Sequence, residues 1–600
     1  MSESKDDATQ GAASTYAEIA ARASKLLTEH AERQLKRGIA LPHDELGVAK
    51  AFMDMMAKLL SNPYQLAVAQ MNLVWDYFSL WQRSVLRFLG QEAPPLAQPD
   101  AGDRRFRDKA WEQDFIFDYI KQSYLLLARH VHDVVCCVEG LDDHTQRKIS
   151  FFTRQFIDAL SPTNFLLTNP EVLRETVRSH GQNLLNGLAN LLRDIEDGEG
   201  QLRIRMTDTS AFKLGRDVAT TAGKVVFENE LMQLLQYAPR SPRQFKRPLL
   251  IVPPWINKYY ILDLRPDNSF IRWALDQGHT VFCISWVNPD EKLADKGFDD
   301  YLKEGALAAL DAVCKQCDVK EVNAVGYCLG GTLLAIAAAY LTKRRDKRLA
   351  SLTFFTSLLD FKEPGELGVF IDDTSLTALE EKMSERGYLE GSEMAATFNM
   401  LRANDLIWSF VVNNYLLGKD PFPFDLLFWN SDSTRMPAKM HAFYLRNMYR
   451  DNRLSQPGGI DLLGVPIDLG KIKTPAYFIA TIEDHIAPWK ACYQGARLLS
   501  GPVRFVLGGS GHIAGIVNPP AANKYGYWVN PATKLPETAE AWFEGAQQNP
   551  GSWWTDWQAW VTGHDATQVE PRDPAKGKLK ALEDAPGSFV KARVDAKAAA

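Results

Sequence analysis

"NAVGYCLGGTLLAIAAAY" (Asn323 to Tyr340) opens with β-type residues, passes through Gly326-Tyr327-Cys328-Leu329-Gly330-Gly331 and ends in an Ala/Leu-rich run of helical character. A strand, a tight turn and a helix in that order make a nucleophile elbow, where the turn holds its central residue strained and lifts the side chain above a sheet. Only glycine leaves room for such close packing, and Gly326 and Gly330 flank Cys328. The helix that follows points its N-terminus at the thiol, which favours thiolate, and the backbone N–H of Leu329 can face an oxyanion there. The bland alternative is a buried cysteine ahead of an ordinary helix. Strand, Gly-Gly and helix together outweigh it.

The flanking sequence supplies a sheet for the elbow. Short apolar segments recur as "PLLIVPP" from Pro248, "HTVFCISW" from His279, "EVNAVGY" from Glu321, "SLTFFTS" from Ser351, "PAYFIAT" from Pro475 and "VRFVLGG" from Val503. Helical segments between several of them predict an α/β domain with a mainly parallel sheet covered on both faces. In that order of elements the acid and the histidine follow the nucleophile, each in a loop just after a strand. Asp484 follows "PAYFIAT", and His512 follows "VRFVLGG" in a Gly-rich turn. Glu483 competes with Asp484. His485 is a rival base, disfavoured because an adjacent histidine does not readily pair with Asp484 while also reaching Cys328. His441, inside the expected cap, and His564, near the tail, read as incidental. The second oxyanion donor in such an arrangement comes from the loop after an early strand, here "IVPPWINKYYILDL". Pro253 and Pro254 have no N–H to offer, which leaves Trp255 onward, with Ile256 the candidate.

A chain of 600 residues exceeds one core and predicts two domains. Residues 1–205 read as helical, with apolar recurrence at three and four in "AKAFMDMMAKLL", "DFIFDYIKQSYLLLARHVHDVV" and "NLLNGLANLLRDIED", and no cluster of potential catalytic residues. Residues 206–600 carry the sheet. Between about 360 and 470 the alternation lapses into an aromatic, Met-rich stretch that reads as a cap. The tail from about Thr567 is Pro/Lys/Ala-rich and expected to be largely extended or mobile, and the first dozen residues disordered. "SWWTDWQAWV", from Ser552, is by composition an aromatic helix or packing patch.

A net charge of -6 with both signs interspersed, and no dense Lys/Arg block, argues against nucleic acid and anionic membranes as partners. No apolar segment follows "MSESKDDATQG", and the longest apolar run falls far short of a bilayer, so the expectation is a cytoplasmic protein without a membrane span. Seven cysteines in an odd, unpatterned set predict no disulfides. Cys314-Lys-Gln-Cys317 is a lone CxxC and reads as coincidence on a helix face; no metal or cofactor is expected.

With "PPWINKYYILDL", "GYCLGG", "EDHIAPW" and "SGHIAGIVNPP" in that order, the chain closely resembles the polyhydroxyalkanoate synthases, and its length and helical N-terminal region resemble class I. "GDRRFRDKAWEQDFIFDYIKQSYLL", "SPTNFLLTNPEVL", "DFKEPGELGVFID" and "PGSFVKAR" extend the resemblance over nearly the whole chain. The resemblance implies an α/β-hydrolase catalytic domain with a cap insertion, preceded by a mostly α-helical domain serving dimerisation and granule association. It implies Cys328 as acyl-accepting nucleophile, His512 as general base and Asp484 as third catalytic residue. It implies (R)-3-hydroxyacyl-CoA as substrate, 3-hydroxybutyryl-CoA being the usual class I choice, CoA as product, and a homodimer working at the surface of a growing polyester granule. Trp255 departs from the family by replacing a smaller residue, which bears on pocket shape. Two other readings stand beside this one: a cysteine-dependent α/β hydrolase of thioesters or esters, and a non-catalytic scaffold coating granules through its N-terminal helices and Trp-rich patch.

Overall fold

The computed structural model describes residues 21, 22, 25, 26, 44–100, 102–136 and 138–593, so the expectations for the first dozen residues and for Cys137 lie outside the described residues. Contacts divide the chain into two compact units, one running to Asp208 and including Phe398–Pro423, the other made of Thr209–Thr397 and Phe424 onward.

The first unit is helical, and polar residues set its helix boundaries. Asn62 accepts from the Gln65 N–H ahead of the Pro63–Phe88 helix, Asp142 from His144 and Thr145 ahead of Asp143–Ala159, and Asn169 from Glu171 and Val172 ahead of Pro170–Arg178. The Pro63–Phe88 helix buries a charged residue as well as the apolar Leu80. Arg83 is buried in an ion pair with Asp118 of the Phe115–Cys136 helix, while Met71, Trp75, Trp81 and Phe88 are exposed. The Phe398–Pro423 segment joins this unit through the Gln182–Asp197 helix. Asn183 donates to the Leu416 carbonyl at 2.8 Å, Tyr415 donates to Asp194 at 2.6 Å, and a side chain at Gly187 would occupy the place of the Tyr415 backbone. No helix among the described residues is long and apolar enough to cross a membrane.

The second unit is built on an eleven-stranded sheet. Its strands are β1 (Gly223–Glu228), β2 (Met232–Tyr237), β3 (Leu249–Val252), β4 (Val281–Trp286), β5 (Val322–Tyr327), β6 (Leu349–Phe355), β7 (Ala476–Thr481), β8 (Val503–Gly508), β9 (Tyr527–Val529), β10 (Gln547–Asn549) and β11 (Glu583–Asp584). Their order is β10-β9-β8-β7-β6-β5-β3-β4-β2-β1-β11. The six apolar segments picked out in the sequence are the six parallel strands β3 to β8. Both faces are covered. Val322 and Ala324 of β5 enter one core with the Leu329–Lys343 helix, while Val325 and Tyr327 enter the other with Phe270, Trp553, Trp554 and Trp557.

One feature differs from the sequence expectations. The tail is tied down: β11 pairs with β1, and Val590 is buried in the core. Its composition suggests mobility because the groups that hold it, such as Gln233 donating to Ser588 and Glu583, are remote in the chain. The Trp-rich segment forms the aromatic packing helix its composition suggests, Trp554–His564, with Trp553, Trp554 and Trp557 almost wholly buried.

Candidate active site

Cys328 sits between β5 and the Leu329–Lys343 helix with φ 52° and ψ -120°, a conformation that L-residues seldom adopt. The strain is held by the neighbours. The Cys328 N–H donates to the Phe355 carbonyl at 2.9 Å, and the Cys328 carbonyl accepts from Gly331 and Thr332 in the first helical turn. A Cβ on Gly326 would meet the Gly331 backbone, one on Gly330 the Val252 and Pro253 carbonyls, and one on Gly331 the Ser357 hydroxyl. All three glycines are therefore required by contact. Gly330→Ala should cost about 3 kcal/mol or more, since rigid backbone is what must move; thermal unfolding of the variant beside the parent checks this.

The contact of Gly330 with Val252 and Pro253 also seats the loop after β3 directly on the elbow. Leu329 is the first residue of the elbow helix, where N–H groups have no partner within the helix. Ile256 is half-buried in the loop after β3 and packs against the same core as Cys328.

Asp484 lies in the turn after β7. One carboxylate oxygen accepts the N–H groups of Ile486 and Ala487 at 2.9 and 2.8 Å, and the other meets His512 Nδ1 at 2.7 Å. Both side chains are buried. Glu483 is exposed beside this pair. With Nδ1 turned to Asp484, the opposite edge of the His512 ring is left for the neighbouring Cys328. Burial by itself would lower the imidazole pKa. The charges of Asp484 and Cys328, with the hydrogen bond to Asp484, outweigh it and raise His512 to about 10.

His512 is held from behind. Tyr327 donates to its carbonyl at 3.2 Å and stacks on the ring at 5.7 Å, while the indole N–H groups of Trp553 and Trp554 take the carbonyls of Gly515 and Ile516, each at 2.9 Å. The Trp-rich segment thus fixes the histidine loop. His485 is half-buried next to Asp484, whose imidazole partner is His512. His441 is fully buried in the Ala438–Tyr444 helix, and burial depresses it to about 4. His564 ends the Trp554–His564 helix, exposed. Burial pushes Cys317 up to about 12 and raises Cys314. Among the described residues no group of three or more His, Cys, Asp or Glu could hold a metal ion.

Residues 102–274 match the family described as "Poly-beta-hydroxybutyrate polymerase (PhaC) N-terminus", and residues 247–519 the family described as "alpha/beta hydrolase fold". Curated relatives run nearly full length. "Poly(3-hydroxyalkanoate) polymerase subunit PhaC" of Rhizobium meliloti (strain 1021) is 50% identical over 534 residues, 89% of this chain and 87% of that protein. "Poly(3-hydroxyalkanoate) polymerase" of Methylorubrum extorquens is 48% identical over 533 residues, 89% of this chain and 88% of that protein. The chain belongs to the poly(3-hydroxyalkanoate) polymerase family. These polymerases are acyltransferase-type enzymes, and the catalytic unit of this one has the α/β-hydrolase fold.

The polymerase site holds two residues that sequence reading passed over. Tyr444 and Tyr449 pack edge to face with rings 5.6 Å apart, and burial, with the Cys328 charge adding to it, raises both phenols. They meet because Leu445–Arg450 is a π-helix, which brings residues five apart together. A search for spacings of three and four does not detect such a pair.

Proposed function

We propose that this polymerase takes the acyl group of an (R)-3-hydroxyacyl-CoA thioester, 3-hydroxybutyryl foremost, onto Cys328 and passes it to the 3-hydroxyl of another unit, building a polyester and releasing CoA. The observation that carries the reading is the buried His512–Asp484 pair beside the strained Cys328 in a chain of this family. The raised imidazole favours a thiolate–imidazolium pair. The thiolate attacks the thioester carbonyl, and the oxyanion that forms lies toward the N–H groups of Leu329 and Ile256. Collapse breaks the carbon–sulfur bond to CoA, whose sulfur takes the proton from His512. The now neutral His512 removes the proton of a 3-hydroxyl as its oxygen attacks the acyl-Cys328 carbonyl, and loss of the thiolate restores the pair.

A thiol suits this sequence. Exchange of one thioester for another is nearly thermoneutral and keeps the acyl group activated, so the following oxoester step runs downhill. Water is the competing acceptor, and the aromatic residues of the insertion that pack on one another, Tyr444 and Tyr449 with Phe361, offer apolar surface to disfavour it near Cys328. Simultaneous assay of CoA, free acid and insoluble polymer tests the reading. CoA matched by polymer supports it, and CoA matched by free acid makes the chain a hydrolase.

Asp484 orients His512 in this scheme. Its second oxygen is committed to Ile486 and Ala487, so Asp484→Asn must turn an N–H toward either those donors or the imidazole. Acylation and elongation should therefore slow together, on the order of 10³-fold, as for an imidazole held in the wrong tautomer. Acylation left intact while elongation alone slowed would instead make Asp484 the base for the 3-hydroxyl. The exposed Met71, Trp75, Trp81 and Phe88 support assembly of the cytoplasmic enzyme, as a homodimer, at the apolar surface of its product.

A further inference from the structure

The loop after β3 is held at almost every residue, and the groups that hold it come from distant parts of the chain. The Pro253 carbonyl accepts from the Trp286 indole at 2.8 Å, and the Trp255 carbonyl from the Thr434 hydroxyl at 2.9 Å. Asn257 pairs with Ser433 as an isolated antiparallel bridge, and the Lys258 carbonyl accepts from the Trp429 indole at 2.7 Å. The side chain of Lys258 closes the arrangement. Its Nζ stands 2.7 Å from the Val590 carbonyl, 2.8 Å from the Ala592 carbonyl and 2.7 Å from Asp432 Oδ1, and the other Asp432 oxygen accepts from Tyr260 at 3.0 Å.

An ammonium has three hydrogens, and three acceptors surround this one. The Lys258 and Asp432 side chains are 4% and 1% exposed. Burying such a pair is costly, and an apolar pair of similar volume is often no less stable, so stability alone gives little reason for it. What the pair does provide is direction. It fixes one point of the tail and one point of the segment before β7 to one point of the loop, two residues beyond Ile256.

We propose that Lys258 is a positioning residue for acyl transfer: its buried ammonium latches the C-terminal tail and Asp432 onto the loop after β3 and so fixes the N–H of Ile256 against the developing oxyanion. This rests on the reading above, in which Cys328 is acylated and Ile256 supplies an oxyanion donor. The tail then has a task in catalysis, although none of its residues belongs to the triad.

The test compares two reactions of the same sulfur in the full-length protein. Acylation by labelled 3-hydroxybutyryl-CoA develops an oxyanion; alkylation by iodoacetamide attacks a saturated carbon and develops none. In Lys258→Met, acylation of Cys328 should fall about 100-fold, the loss expected for a displaced oxyanion donor, with KM within about threefold and alkylation within about twofold of the parent. Deuterium uptake should rise together in 254–258 and 589–593. Lys258→Arg, which keeps the charge, should recover at least about tenfold of the acylation rate. Should Lys258→Met fail to fold, Asp432→Asn retains the ammonium and its two carbonyl partners and carries the same comparison. Acylation unchanged in the variants, or acylation and alkylation falling together, would overturn the latch alone. Label found in the parent on a residue other than Cys328 would overturn the functional reading and the latch with it.

Discussion

An enzyme with alanine in place of Cys328 should release no CoA above background and form no polymer, while unfolding at the parent's temperature. Cys328 stands at the strained elbow beside the buried His512–Asp484 pair. Removing the nucleophile of such a unit costs about 10⁴-fold or more, because the remaining parts have no acyl acceptor to act upon. The fold should survive, since alanine keeps the Cβ and the backbone strain is borne by the contacts of Gly326, Gly330 and Gly331. Cys328→Ser should also be severely impaired. An alkoxide is harder to generate beside the same imidazole, and the resulting oxoester has lost the activation needed for the second transfer. Circular dichroism melting with CoA release in parallel checks both variants, and CoA release by Cys328→Ala at near-parental rate would move the nucleophile elsewhere.

The second large effect is expected at His512. His512→Gln keeps a hydrogen-bonding side chain but loses the proton acceptor, so acylation and elongation should both fall about 10³- to 10⁴-fold. The pH dependence follows from the sign of the shift. A histidine raised to about 10 is protonated below that value, so the imidazolium partner of Cys328 persists through neutrality and is lost as pH rises through about 10. Acylation of Cys328 should accordingly exceed that of His512→Gln by at least about tenfold at neutral pH, and the difference should shrink as pH rises through about 10. His485→Gln should leave acylation within a few-fold of the parent, because Asp484 already pairs with His512. Equal losses in the two histidine variants would contradict the assignment of the base.

Much of this was readable from the chain because the parallel strands are buried on both faces and stand out as continuous apolar runs, several of them leading into a site residue. Cys328 follows β5, Asp484 follows β7 and His512 follows β8, and the structure brings Asp484 and His512 to 2.7 Å. The flanking antiparallel strands were not readable in that way. β2 carries Gln233 and Gln236 at buried positions, polar residues that become acceptable only when Ser588, Glu583, Gln316 and the Arg572 carbonyl meet them from far along the chain. The tail is ordered for the same reason, through partners its own composition does not reveal. The attachment of Phe398–Pro423 to the helical unit rests on Asn183, Asp194 and Gly187, more than two hundred positions away from the residues they hold. Tyr444 and Tyr449 escape notice because a five-residue spacing belongs to π-helix, and the sequence has no simple mark for it.

The central claim is that the growing acyl chain is carried as a thioester on Cys328. The most direct measurement is rapid quenching of the full-length enzyme with labelled (R)-3-hydroxybutyryl-CoA, followed by proteolysis and mass spectrometry, with a chase of unlabelled thioester on a parallel sample. The account predicts label on the peptide carrying Cys328, cleavable by hydroxylamine, and its passage into polymer during the chase. Label on another residue, or label at Cys328 that leaves as free acid without entering polymer, would contradict it.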